Sequence, residues 1–313
     1  MNRRDFIAGL AGNAFVLNLA GRGISLAAQT PQVAITMDDP STNETPRLSA
    51  EERNRAILGA LRAHSNLKAA LFVCGKRVAN EPGRRLLGEW NDERHIIANH
   101  SYSHPYFHSK QISVEGFIED IERGEAVIKD LAQFRKLFRF PFLKEGDTLE
   151  KRDRLRAFLR EHGYKNGHVT IDASDWYVDD RLRARLAKKP DADTAPYRDF
   201  YLKHIWNRAT FYNSLVQKVS GGSVKHTLLI HHNLLNAMFL GDLLDMFKSR
   251  GWKLIDAENA FQDKIFSQSP AILPAGESLV WALAKQTGKF DALLRYPGED
   301  GEYEKAEMDR LGL

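Results

Sequence analysis

Short apolar runs alternate with longer amphipathic stretches along most of this 313-residue chain. That alternation restricts the fold more than any other feature. The runs VAITM (33–37), AALFVC (69–74), HIIAN (95–99), KLFRF (136–140), HVTID (168–172), HTLLIHH (226–232) and WKLID (252–256) have strand length and strand composition. Helical patterns separate them over 50–64, 82–90, 114–134, 149–163, 197–219 and 234–251. Continuous apolar runs spaced by helices predict strands buried on both faces and joined by crossovers, which means a mostly parallel α/β sheet or barrel. No internal repeat and no low-complexity linker interrupts the pattern. After residue 264 it weakens, so 29–265 reads as the main domain and 266–313 as a C-terminal extension.

Polar residues recur where these runs end. Asp38 and Asp39 close the first, His100 and His104 follow the third, and Arg139 ends the fourth. Asp172 and Asp175 follow the fifth, and His231 and His232 end the sixth. In a parallel barrel those ends share one rim, where such folds keep their active sites. The spacing of His100 and His104 predicts a helical turn that sets both imidazoles on one face, within reach of one cation. Asp39 would complete a His-His-Asp set with positions open for water and substrate. HExxH is absent, so the general base must come from elsewhere, and Asp38 is the natural candidate. Two adjacent carboxylates resist joint ionisation unless a cation compensates, and a metal ion plus Arg139 would supply it. Asp175 is then expected to fix Arg139. His64, His95, His108, His162, His168, His204 and His226 are expected to be structural.

The amino terminus has the order of an export signal. Arg3 and Arg4 precede a mildly apolar stretch broken by Asn13 and Asn18, and small residues follow around Ala27 and Ala28. We read 1–28 as a signal peptide of twin-arginine type, implying the twin-arginine export machinery as a partner and a periplasmic or secreted location. The stretch is too short and polar for a stable membrane span. The formal charge of +4 is small and its basic residues are scattered, so the sequence carries no nucleic-acid footprint. A single cysteine, Cys74, excludes an internal disulfide and reads as a buried strand residue.

Taken in order, these motifs resemble those of the NodB-type polysaccharide deacetylases, carbohydrate esterase family four, over roughly residues 32–260. ITMDDP is similar to the TFDDG motif, which implies Asp38 as base and Asp39 as metal ligand. NHSYSHP is similar to HSxxHP, implying His100 and His104 as ligands. RFPF carries Arg139 and Pro141 of the arginine-proline motif, and its Phe142 N–H is implied in oxyanion binding. DASDW resembles DxxDW, implying Asp175 as the partner of Arg139 and Trp176 as a wall of the acetyl pocket. LLIH implies His231 as the acid, although the doublet His231–His232 leaves open which of the two faces inward.

The resemblance implies a distorted parallel (β/α) barrel related to the TIM architecture. It also implies removal of N- or O-acetyl groups from an acetylated oligo- or polysaccharide, with a divalent metal ion. Zinc is favoured by availability, and cobalt, manganese or nickel suit the ligands equally in geometry. A metal-dependent hydrolase of another non-peptide carbon–nitrogen bond and a non-catalytic carbohydrate-binding barrel are the alternatives. Met37, Pro40 and the loop STNETPRLS depart from the family pattern and bear on substrate choice.

Overall fold

A computed structural model describes residues 30–295 and 301–313, so the leader read over 1–28 lies outside the described residues. In chain order the first half comprises β1 (Gln32–Asp38), α1 (Ala50–Ala63), β2 (Ala70–Val73), α2 (Gly75–Val78), α3 (Glu81–Asp92), β3 (Ile96–Asn99) and α4 (Val114–Ile128). Then come β4 (Phe134–Phe138), β5 (Lys144–Gly146), α5 (Leu149–Glu161), β6 (Lys165–Asn166), α6 (Asp175–Lys188) and α7 (Ala195–Ser220). The chain ends with β7 (Lys225–His231), α8 (Leu234–Ser249), β8 (Lys253–Leu254), α9 (Ala257–Phe261), β9 (Ala275–Gly276), α10 (Leu279–Thr287) and α11 (Glu302–Leu311).

The main sheet is parallel, in the order β6-β4-β3-β2-β1-β7, with β8 also pairing β1. Its two edges are joined by one stretch of chain. Lys165 and Asn166 pair with Leu137 and Phe138 at one edge, and Ile171 bridges in parallel to Leu228 of β7 at the other. Five residues thus turn an open sheet into the distorted barrel expected from the sequence. The run HVTID supplies this bridge rather than a full strand.

Strand alternation sorts side chains between the barrel interior and the helical shell. In β1, Val33, Ile35 and Met37 pack outward in the large helix-facing core, as do Leu71 and Val73 of β2 and Leu228 and Ile230 of β7. Ala34, Ala70, Phe72, Ala98 and Leu137 fill the interior. Small residues leave room there for one large ring, Phe72. Gly167 must lack a side chain because a Cβ would overlap that ring. Asp38 stands in register with His231 on the last rung between β1 and β7. Because the period is two, both belong to the interior face at the C-terminal rim.

Two local expectations shift, and the C-terminal extension takes its place. The helical pattern over 114–134 stops at Ile128, and its end, with Phe134, turns into β4, so Arg139 lies just past the strand instead of within it. DASDWY, outside the helical patterns read from the sequence, opens helix α6, whose buried Val178, Leu182 and Leu186 form an i, i+4, i+8 stripe. Within the C-terminal extension, residues 266–295 pack on the barrel. β9 pairs antiparallel with β5, Leu279 N–H donates to Val169 O at 2.7 Å, and α10 lies against α7. No helix among the described residues is long and apolar enough to cross a membrane.

Candidate active site

The rim of the barrel opens into a cleft of about 640 Å³, lined by Asp38, Asp39, His100, His104, Phe142, Trp176 and His231 among others. Every predicted site residue except Arg139, Pro141 and Asp175 lines it, and Arg139 and Asp175 hold residues that do.

Two neighbouring carboxylates reach the cleft because the chain leaves strand geometry between them. Asp38 ends β1, while Asp39 adopts φ 60°, the left-handed region that turns its carboxylate toward the same rim. Asp38 is 2% exposed. Arg139 Nη1 donates to its Oδ1 at 2.5 Å, and the same guanidinium donates to Thr36 Oγ1 at 3.0 Å and Gly167 O at 2.8 Å. The guanidinium also lies 3.8 Å from the centroid of the Phe72 ring. Burial raises the Asp38 carboxyl above its ordinary range, and Arg139 opposes that rise.

His100 and His104 do not lie on a helical turn. They bound a loop whose residues Ser101 and His104 both have positive φ. Asp120 of α4 holds that loop: its carboxylate accepts from Tyr102 N–H and Ser103 N–H at 2.9 Å each and from Ser103 Oγ at 2.7 Å. Four-residue spacing brings two imidazoles together on a helix, but a capped loop with two left-handed residues does so as well. Their rings meet edge-on with centroids 4.9 Å apart.

Asp39, His100 and His104 each offer a ligand atom, and these atoms lie within 4.8 Å of one another. His100 Nδ1 donates to Arg139 O at 2.8 Å, which leaves Nε2 as the lone-pair nitrogen facing the cleft. Burial keeps this imidazole neutral, its pKa lowered to about 3, and burial lowers His104 too. Asp39 Oδ1 is buried and accepts no hydrogen bond. Two neutral imidazoles beside a carboxylate oxygen left without a donor form a donor set suited to a divalent cation. Arg77, which the sequence reading passed over, sits 3.3 Å from Asp39 Oδ2.

On the opposite wall, His231 Nδ1 lies 2.8 Å from Asp175 Oδ1, and His231 N–H donates to Asp175 Oδ2 at 2.9 Å. Asp175 therefore partners His231, not Arg139 as the motif implied. Its fully buried carboxylate also accepts from Asn233 Nδ2 and Asn236 Nδ2. Burial alone would push the His231 imidazolium down, but Asp175 first, then Asp38 and Asp39, raise it to about 9. His232 faces the other way, with Nε2 3.0 Å from Asn54 Oδ1 of α1, and burial lowers it to about 3. Of the doublet, His231 is the one whose ring pairs with Asp175 at the cleft.

Pro141 begins a tight turn in which Phe142 and Leu143 both have φ 56°. Phe142 is left 53% exposed, edge-on to His104 at 4.5 Å and Tyr106 at 5.4 Å. Trp176, in the first turn of α6, is 40% exposed on the cleft. The histidines expected to be structural are so placed: His204 Nε2 accepts from Ser174 N–H at 3.0 Å and His95 Nδ1 from Ala69 N–H at 3.1 Å.

Comparison with known proteins agrees with the fold. Residues 26–167 match the family model described as polysaccharide deacetylase. The peptidoglycan-N-acetylglucosamine deacetylase of Bacillus cereus is 28% identical over 147 residues, 46% of each chain, so the chain spans about half the length of that curated relative. Among solved structures, a CE4 family pseudoenzyme from Bacillus anthracis superposes with a TM-score of 0.51 at 18% identity, covering 75% of this chain and 66% of that one. A mutant of the peptidoglycan deacetylase PdaC from Bacillus subtilis gives 0.50 at 20% identity, covering 74% and 90%. At such identities the structures speak for the fold alone.

Proposed function

We propose that this chain, whose residues 26–167 match the polysaccharide deacetylase family model, is a metal-dependent hydrolase that removes acetyl groups from an acetylated carbohydrate. The observation that carries this reading is one cleft holding a buried base candidate, a cation-binding triad and a carboxylate-supported imidazole. A barrel serving only to bind carbohydrate would have no use for all three.

In this reading Asp39, His100 and His104 hold the cation, with zinc the first choice and cobalt, manganese or nickel accommodated by the same donors. When bound, a divalent cation supplies Lewis acidity, polarising an acyl oxygen and bringing the pKa of water toward neutrality. Asp38, oriented by Arg139, takes a proton from the attacking water. The water oxygen bonds to the acyl carbon, and the negative charge that forms on the acyl oxygen faces the Phe142 N–H, set in place by the turn at Pro141. His231 then gives its proton to the departing nitrogen or oxygen, and the carbon–nitrogen or carbon–oxygen bond breaks to leave acetate. Asp175 fixes the His231 tautomer so that Nε2 carries that proton. Trp176 walls the acetyl group.

The test combines acetate release with metal content on one sample. Acetylated glucosamine oligomers, acetylxylan and peptidoglycan form the panel, and about one equivalent of metal per chain should accompany activity and leave with His104→Ala. Activity that survives complete metal removal, or no acetate from any of the three, would sink the proposal. We place the enzyme, by its leader alone, in the periplasm or outside the cell after export by the twin-arginine route. N-terminal sequencing of the exported protein should then begin near residue 28 or 29, and a mature chain still starting at Met1 would contradict this.

A further inference from the structure

The cleft has a second polar feature that the proposed chemistry does not use. Lys144 of β5 and Glu277, just past β9, form an ion pair on its wall beside Asp172. All three are under a tenth exposed, yet all three line the cleft. The pair exists because the C-terminal segment docks closely here. Gly276 has φ 130°, and a Cβ there would overlap the Leu143 carbonyl, so only glycine lets β9 approach β5. Glu277 N–H then donates to Leu143 O at 2.9 Å, which fixes Glu277 opposite Lys144. Glu277 lies outside the family-matched 26–167, so this wall belongs to the chain's own C-terminal segment.

We propose that Lys144, Glu277 and Asp172 form a subsite that binds the hydroxyl groups of an uncharged sugar unit next to the one carrying the acetyl group. This rests on the deacetylase reading. The ammonium offers donors and the two carboxyls offer acceptors, a combination that matches adjacent sugar hydroxyls. Two acids against one cation repel a carboxylate-bearing unit. Burial pushes Asp172 up to about 6 and Glu277 up to about 7, opposed in each by Lys144. Tyr106, Phe142 and Trp176, each at least 40% exposed at the cleft, supply the flat apolar faces such a site needs for the ring itself.

The test is binding, measured calorimetrically on the full chain with metal bound. The probes are N-acetylchitobiose, N-acetylchitotetraose and an oligogalacturonate of four units. The parent should bind the tetrasaccharide at least tenfold more tightly than the disaccharide and bind the uronate poorly. Glu277→Gln and the double variant K144M/E277Q should lose most of that tenfold gain while disaccharide affinity stays put. The double variant removes both members of the Lys144–Glu277 pair together, so neither is left charged without the other. Tetrasaccharide affinity equal to the parent's in both variants, no gain from disaccharide to tetrasaccharide in the parent, or uronate bound as well as the chitotetraose would each overturn the subsite. Acetate release, scored separately, judges only the deacetylase reading.

Discussion

Asp38→Asn should abolish turnover while leaving the metal in place. Asparagine matches the shape of aspartate and its Oδ1 can still accept from Arg139, but it cannot take a proton. Loss of a positioned general base costs about 10²–10⁴-fold in kcat. Asp38 is not among the residues that cluster for a cation, which are Asp39, His100 and His104. Bound metal should therefore stay near one equivalent. Stability should fall as well, because Arg139 is 1% exposed and would keep its charge after losing the carboxylate that pairs with it. Breaking a buried pair from one side typically costs about 3–5 kcal/mol. A thermal melt and a metal analysis on the same preparation separate these effects. Near-parental acetate release from a folded, metal-loaded variant would remove Asp38 from the base role, and lost metal would reassign it as a ligand.

What could be read from the sequence follows from what spacing encodes. Continuous apolar runs ending in polar residues announced the parallel strands and the rim, and a residue's face in a strand depends only on its parity. Asp38 and His231 fall on the same rung for that reason. Parity also implied that only one of His231 and His232 could face inward. The conformation between His100 and His104 was not legible, since a helical turn and a loop with left-handed residues both put two side chains together. The signal that could have corrected it is Asp120, which reaches the loop from nearly twenty residues away in α4. Asp175 was paired with the wrong residue for a similar reason. A motif records which groups recur, whereas the choice between Arg139 and His231 depends on how far the first turn of α6 reaches into the rim. Glu277 carried no signal at all. It enters the cleft through an antiparallel pairing of very short strands, β5 and β9, and patterns that short are indistinguishable from loop.

Replacing Asp175 by asparagine should move the alkaline side of the activity profile toward acid. His231 can serve as proton donor only while it is an imidazolium, so activity must fall as pH rises through its folded pKa. That pKa is about 9 because nearby carboxylates outweigh burial, with Asp175 the largest of the raising influences. A cation held by Asp39 would offset the smaller influences of Asp39 and Asp38, leaving the raised value dependent on Asp175. With asparagine the charge disappears and burial prevails, so the folded pKa drops and neutral imidazole predominates at lower pH. The sign is fixed: the limb shifts to lower pH, never higher. At pH 8 kcat should fall by about 10²-fold or more, with partial recovery as the pH is lowered. A purely structural role would depress activity evenly across the range, since His231 N–H, Asn233 and Asn236 also lean on this carboxylate. The shape of the pH profile, more than its height, therefore decides whether Asp175 acts through the His231 proton, and an unmoved alkaline limb would show that it does not.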